Sequence, residues 1–268
     1  MFRVIETLRL YALLLTAPVT FIWARAMGWP EGQLLIATHA CLIVFALLYS
    51  AAEDVRNAHN PRLCLASDRE DFDRGLLEFG PKILGIVLAL LLVVLFFVDT
   101  SMALLLIVGA VAATHDARTN IRRKNILIEI AAPALLLAGP SALLYVRGSI
   151  GDAAFGASLL SAVMLGLVIL LCLVRDREQD EAIHAQTTAT RAGGLGSMIV
   201  VAIWALVATA LASIGASAEW WGAWPTLVVS WTLIISIAAL ASKRAGWATG
   251  VAILGSSVLA VLLFAALG

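Results

Sequence analysis

Charge is scarce in this chain. Only 13% of its 268 residues are Asp, Glu, Lys or Arg, whereas 62% are hydrophobic. Soluble globular domains carry about 25% charged residues, so this composition excludes an ordinary soluble protein. The 18 basic and 18 acidic residues give a formal net charge of zero, and we expect no nucleic-acid partner.

Cysteine is scarce as well. Cys41, Cys64 and Cys172 are scattered and form no CxxC pair, which excludes a disulfide framework. We expect them to be small buried residues in reducing surroundings. The chain also contains no Asp-Gly dipeptide, so it lacks the DGxxAR signature of the CDP-alcohol phosphotransferases. No low-complexity tract or separate soluble domain is present.

Long uncharged runs dominate instead. A helix needs roughly 20 residues to cross the apolar core of a bilayer. Five runs reach that length, and four shorter runs approach it with help from flanking polar residues. We therefore predict an all-α, polytopic membrane protein, with a single domain over residues 1–268 and nine transmembrane helices. The predicted spans are residues 10–24, 32–52, 83–98, 100–114, 130–146, 153–174, 192–218, 220–242 and 245–268.

The basic residues support this topology. With nine spans, 16 of the 18 Lys and Arg fall on the same side as the N-terminus, and only Arg25 and Arg147 lie near the other side. The excess of basic residues in cytoplasmic loops makes the first side cytoplasmic. We expect the run from residue 10 to be retained, because its cleavage as a signal peptide would shift the whole loop pattern.

Two acidic clusters fall on this predicted cytoplasmic side. Asp176 and Asp180 end span six, and an i, i+4 spacing places both carboxylates on one side of a helix. Glu53 and Asp54 end span two, with Asn57 one turn further on. Mg²⁺ is typically held by one or two carboxylates together with substrate phosphate oxygens. The two clusters together suit two Mg²⁺ ions and one diphosphate, although each cluster alone is more typical of a solvated helix cap.

A basic loop on the same side adds a third element. Arg122, Arg123 and Lys124 precede span five. Such residues often serve only as topology anchors. They also suit a site that receives a leaving diphosphate or an anionic head group.

The stretch RDREQDEAIHAQTTATRAG, residues 175–193, resembles the second aspartate motif of the UbiA superfamily of intramembrane prenyltransferases, which reads approximately RDxExDxxxGxRTLAVRLG. His184 and Gln186 depart from it, where the family has Gly and a basic residue. Eight positions agree without a gap, namely Arg175, Asp176, Glu178, Asp180, Thr187, Ala189, Arg191 and Gly193.

The other two family elements match more loosely. The basic stretch with Arg122 and Lys124, followed by Ala138–Pro140, is similar to the mid-chain element of the family. The first motif, NDxxDxxxD, corresponds to EDVRNAHNP. There Glu53 stands for Asn, Asp54 is kept, and Asn57 and Pro61 replace the other two aspartates.

The resemblance implies helices around a central cavity and Mg²⁺-dependent transfer of an isoprenoid chain from a prenyl diphosphate to an acceptor in the membrane. The acceptor is an aromatic or quinone precursor or another lipid-pathway molecule. We expect a multi-pass protein of a bacterial inner (plasma) membrane, with both aspartate motifs cytoplasmic. The implied catalytic residues are Asp54, Asp176 and Asp180. The implied metal ligands are Glu53, Asp54, Asn57, Asp176 and Asp180. The implied substrate-binding residues are Arg62, Arg74, Arg122, Lys124, Thr187 and Arg191.

Two alternatives stay open. In a membrane terpene cyclase of the same superfamily, the allylic cation is captured by another part of the same isoprenoid chain. In a degenerate, non-catalytic member, the protein binds a prenyl lipid without turning it over. The altered first motif favours the non-catalytic alternative, whereas the preserved second motif favours an active transferase.

Overall fold

The computed structural model describes residues 19–22, 24–28, 34, 36–44, 73–119, 130, 132–182 and 187–267. Within these ranges the chain forms helices joined by short turns, and no strand occurs. The all-α prediction is therefore confirmed. The count of nine spans and the single domain stay predictions.

The chain divides into two compact units, one of which comprises Met1–Thr16 and Gly32–Ile121. Its described part is helical at residues 34 and 36–44 and contains α1 (Asp73–Val98) and α2 (Thr100–Thr119). Asp99 separates the two helices, and its Oδ1 accepts a hydrogen bond from the Met102 backbone N–H at 3.0 Å. This N-cap allows α2 to begin within one residue of the end of α1.

The other unit comprises Ala17–Glu31 and Arg122–Gly268. It contains α3 (Ala132–Val146), α4 (Asp152–Ala182), α5 (Thr188–Ser217), α6 (Ala223–Ala241) and α7 (Ala245–Ala266). The central helix is α4, which packs against α3, α5 and α7, while α6 packs against α5 and α7. Leu160, Leu167 and Leu171 of α4 are fully buried, as expected for a helix with neighbours on several sides.

Several of these helices suit a membrane. Four are long and apolar enough to cross one, namely Asp152–Glu178, Thr188–Ser217, Ala223–Ala241 and Ala245–Ala266. The chain is an integral membrane protein. Helix α4 has 31 residues, which at about 1.5 Å per residue gives a length of about 46 Å. Since the apolar core of a bilayer is about 30 Å thick, one end of α4 extends beyond it.

Side chains fix α4 against its neighbours at its start and nearer its middle. At its start, the Tyr145 hydroxyl donates to Asp152 Oδ1 at 2.8 Å, and the Tyr145 ring stacks on Phe155 with centroids 4.7 Å apart. Further along, the Trp204 indole N–H of α5 donates to the Val163 carbonyl at 2.7 Å. These contacts determine how α4 is placed against α3 and α5.

The tryptophans around the turn between α5 and α6 differ from one another. Trp224 is exposed, as expected at a membrane interface. The neighbouring Trp221 does not join such an interfacial belt, because it is buried, packs against Gly215, and donates its indole N–H to the Ala212 carbonyl at 3.1 Å. The Trp221 ring covers the end of the contact between α5 and α6. Its N–H has an acceptor there, and the ring does not lie in the interfacial belt.

Two glycines of α7 give a matched test of helix packing. Thr232 of α6 occupies the space that a Cβ at Gly255 would need, whereas nothing lies within 4 Å of a Cβ at Gly250. Gly255→Ala should therefore destabilise the protein by about 1–3 kcal/mol, the usual cost of overpacking. Gly250→Ala should be neutral or slightly stabilising, because alanine has the higher helix propensity. The unfolding midpoint in a detergent titration measures both, and equal midpoints would contradict this α6–α7 packing.

Candidate functional site

The two carboxylates predicted to act together lie at the C-terminal end of α4, where charged residues follow its apolar run. The helix continues through Asp176 and Asp180 to Ala182, so the i, i+4 spacing does place both on one side of it. The Asp176 side chain is 40% exposed. We call residues 175–182 and 187–197 together the acidic hairpin. It comprises the end of α4 and the beginning of α5.

Arg175 neutralises Asp176. Its Nε donates to Asp176 Oδ1 at 2.7 Å and its Nη2 donates to Oδ2 at 3.0 Å. Both side chains are more than a third exposed, so solvent screens the pair and it adds little to stability. Its role in this arrangement is electrostatic, because it offsets one of two negative charges held one turn apart.

Asp180 contacts the beginning of α5. The Thr187 hydroxyl donates to Asp180 Oδ2 at 3.3 Å. The same Thr187 oxygen accepts the Thr190 backbone N–H at 3.3 Å, which makes Thr187 the N-cap of α5. A single hydroxyl thus joins the end of α4 to the start of α5.

Helix α5 is broken shortly after its start. Gly193 has φ 67° and ψ −176°, a combination essentially restricted to glycine. Across the break, the buried Ser197 hydroxyl donates to the Ala189 carbonyl at 3.2 Å. In a straight helix these residues would be about 12 Å apart along the axis. The first turn of α5 therefore folds back and is held by Ser197.

Arg177 packs the two halves of the acidic hairpin together. Its Nε lies 3.1 Å from Glu181 Oε1, one turn along α4. Its Nη1 lies 2.9 Å from the position that a Cβ on Gly194 would take. The guanidinium therefore lies directly against the break in α5. No sequence pattern indicated this contact or that of Ser197, although Gly193 was among the positions that match the motif.

The structure describes two of the remaining predicted site residues, Arg191 and the backbone of Arg74. Arg191 is exposed, and its backbone N–H donates to the Thr187 carbonyl at 3.1 Å. Arg74 lies in α1, but its side chain is outside the described part of the structure. Six residues lie wholly outside the described ranges, namely Glu53, Asp54, Asn57, Arg62, Arg122 and Lys124. The expected meeting of the two aspartate motifs stays a prediction.

The acidic pair offers the kind of oxygen donors that Mg²⁺ prefers. Asp176 and Asp180 supply two carboxylates one turn apart, which fits Mg²⁺ when substrate phosphate oxygens and waters complete its coordination. Among the side chains that the structure describes, no three His, Cys, Asp or Glu residues are grouped closely enough to hold a metal. Within the described residues the pair therefore offers two carboxylate ligands, and any further ligands of such an ion would come from elsewhere.

Comparison with solved structures identifies the fold. The structure of a UbiA homolog from Aeropyrum pernix K1 matches over 94% of this chain and 95% of its own, with a TM-score of 0.64 and 14% sequence identity. A structure of digeranylgeranylglyceryl phosphate synthase matches over 98% of this chain and 99% of its own, with a TM-score of 0.65 and 13% identity. The chain has the fold of these two structures, one of which is a UbiA homolog.

The likeness to these UbiA-type structures extends over nearly the whole chain, which agrees with the resemblance seen in residues 175–193. No family model and no curated protein sequence matches the chain. At identities of 13% and 14%, the UbiA-type likeness applies to the fold, so the chemistry must be argued from this chain's own residues.

Proposed function

We propose that the protein transfers an isoprenoid chain from a prenyl diphosphate to an acceptor within the membrane, in a Mg²⁺-dependent reaction. The observation that carries this proposal is the acidic hairpin. Asp176 and Asp180 lie one turn apart on an extended helix end, and Asp180 is tied to the N-cap of α5. Such an arrangement favours a divalent cation and a polyanionic ligand at the membrane surface.

The residues have separate roles in the proposed reaction. Mg²⁺ held by Asp176 and Asp180 would neutralise the charge that develops on the departing diphosphate. Arg175 is beside Asp176. Once a cation takes the place of Arg175 at this carboxylate, the Arg175 guanidinium would be able to bind a phosphate oxygen. Arg62, Arg74, Arg122 and Lys124 would take up the remaining charge, and Glu53, Asp54 and Asn57 would complete the metal site.

The membrane setting supports the same chemistry. The isoprenoid tail is a hydrocarbon, and the helices expose many large apolar side chains to the lipid. A donor dissolved in the bilayer would reach the protein laterally, with its diphosphate at the level of the acidic hairpin. An allylic cation that forms among apolar helices is protected from water. One similar structure is that of a digeranylgeranylglyceryl phosphate synthase, but at 13% identity its acceptor does not carry over to this chain.

The proposal is tested with membranes that contain the native chain. Labelled prenyl diphosphates of several lengths are incubated with Mg²⁺ or with EDTA, and released diphosphate and labelled lipid are both measured. With Mg²⁺ we expect diphosphate release above that of membranes without the protein. With EDTA we expect the release to fall to that background. No release from any donor would remove the proposal.

The same experiment separates the alternatives. Hydrocarbon products formed without added acceptor would indicate a terpene cyclase. Photo-crosslinking of a prenyl diphosphate analogue without any turnover would indicate a non-catalytic prenyl-lipid-binding protein. Transfer of label to an acceptor supplied with the membranes would support the transferase.

A further inference from the structure

We propose that Thr187 is a positioning residue, whose hydroxyl fixes the Asp180 carboxylate for a divalent cation. The inference rests on the proposed function and deepens it. The family resemblance implies a substrate-binding role for Thr187, which stays a separate prediction. The positioning role follows from the contacts that one oxygen atom makes in the acidic hairpin.

The first step concerns the direction of the hydrogen bonds. Thr187 Oγ1 accepts the Thr190 backbone N–H at 3.3 Å, so one side of the oxygen is committed as an acceptor. Its single proton then has two acceptors within reach, Asp180 Oδ2 at 3.3 Å and Thr190 Oγ1 at 3.4 Å. A hydrogen bond to a carboxylate is roughly twice as strong as one between neutral groups. The proton therefore goes to Asp180.

The second step concerns what this bond does to Asp180. A hydrogen bond to one carboxylate oxygen limits the rotation of the group and fixes the direction of the other oxygen. Carboxylates that bind metals are commonly held by such outer hydrogen bonds, and loss of one typically weakens metal binding by about 10- to 100-fold. At 3.3 Å the bond is long for two oxygens, so we expect an effect at the lower end of that range.

The third step concerns rigidity. The backbone of Thr187 is fixed by the first turn of α5, since its carbonyl accepts both the Thr190 hydroxyl at 3.0 Å and the Arg191 backbone N–H at 3.1 Å. Threonine is also restricted about χ1 by its branched Cβ. The hydroxyl thus has a defined position, and its hydrogen bond fixes the Asp180 carboxylate relative to it.

The test compares three variants by metal binding. Thr187→Val removes both the donor and the cap at nearly constant shape, and Thr187→Ser keeps both. Asp99→Ala removes an N-cap at the start of α2, as a control for cap loss alone. Mn²⁺ binding is followed by electron paramagnetic resonance in lipid nanodiscs. An equimolar prenyl thiodiphosphate is present, and a blank without protein is subtracted.

We expect the Kd for Mn²⁺ to rise about ten-fold in Thr187→Val. Thr187→Ser and Asp99→Ala should stay within about three-fold of the native value. Thr187→Val and Asp99→Ala should both lower the unfolding midpoint, because each loses a cap. The inference is overturned if Thr187→Val binds Mn²⁺ as tightly as the native protein, or if Asp99→Ala weakens binding equally.

The same data separate this inference from the proposed function. A native protein that binds Mn²⁺ with the analogue but releases no diphosphate from a true donor would remove the transferase and leave the Thr187 comparison valid. A native protein that retains no Mn²⁺ would overturn both. Restoration of binding by Thr187→Ser would support the hydroxyl, rather than the shape of the side chain, as the positioning group.

Discussion

Changing Asp176 or Asp180 to asparagine is expected to lower the rate of diphosphate release by about 10²- to 10³-fold, the usual effect of removing one group that stabilises developing charge. Asparagine has nearly the same shape as aspartate, and its carbonyl oxygen still accepts hydrogen bonds. Thr187 therefore keeps an acceptor on residue 180, whereas Arg175, which donates to both oxygens of Asp176, keeps one of its two acceptors. What the substitution removes is the negative charge that a cation needs.

Glu181→Gln is the matched control for this prediction. It removes a carboxylate from the same helix, one residue beyond Asp180, where Glu181 is 48% exposed and paired with Arg177. Its activity should stay within about two-fold of the native value, since an exposed pair contributes little. The double variant Asp176→Asn with Asp180→Asn should be little worse than either single one, because residues that act as a unit are not additive. Native rates in both single variants would end the metal-site hypothesis.

Much of the acidic hairpin could be predicted from the sequence. The i, i+4 spacing predicted that both carboxylates lie on one side of the helix if α4 continues through them, and it does. The beginning of the next helix was less well placed. The uncharged run begins at residue 192, but α5 begins at Thr188 because Thr187 caps it. Capping is a matter of a few polar atoms, which hydrophobicity does not record.

The packing of the helices was harder to predict. In a membrane both the lipid-facing and the buried sides of a helix are apolar, so the contrast that marks the core of a soluble protein is lost. A weaker signal was present in α7, where Ala248, Ala252, Gly255 and Ala260 are small and lie towards one face. All but Gly255 are among the buried hydrophobic residues, and Thr232 packs against Gly255. Small residues at such spacing are typical of closely packed membrane helices.

The break in α5 depends on a backbone angle that residue type only partly reveals. A glycine at position 193 is compatible with a regular helix, a left-handed cap or the extended positive-φ conformation found here. The structure selects the last, with ψ −176°, because the folded-back turn brings Ser197 to the Ala189 carbonyl. Contacts within the acidic hairpin favour this conformation of Gly193, and they cannot be predicted from a single sequence.

Gly193→Ala is expected to lower activity by about 10- to 100-fold per folded molecule. An alanine held at φ 67° and ψ −176° would be strained by about 1–3 kcal/mol. The strain is relieved if the residue becomes helical, which straightens the start of α5. Ala189 then moves away from Ser197, and Thr187 moves away from Asp180. A factor of ten in rate corresponds to about 1.4 kcal/mol, so this strain is comparable in free energy with the expected loss of activity.

The identity of the replacement makes this prediction specific. Asparagine tolerates the left-handed helical region, but that region has ψ near +47° and not near 180°. Gly193→Asn should therefore be as harmful as Gly193→Ala, whereas rescue by asparagine would contradict the backbone conformation described here. Gly250→Ala, in open space on α7, controls for the general effect of replacing a helical glycine. Activity and Mn²⁺ affinity are measured together. If Gly193→Ala lowers both in the same proportion as Thr187→Val, the break in α5 acts through the position of Thr187; if it lowers activity alone, the break serves another part of the reaction.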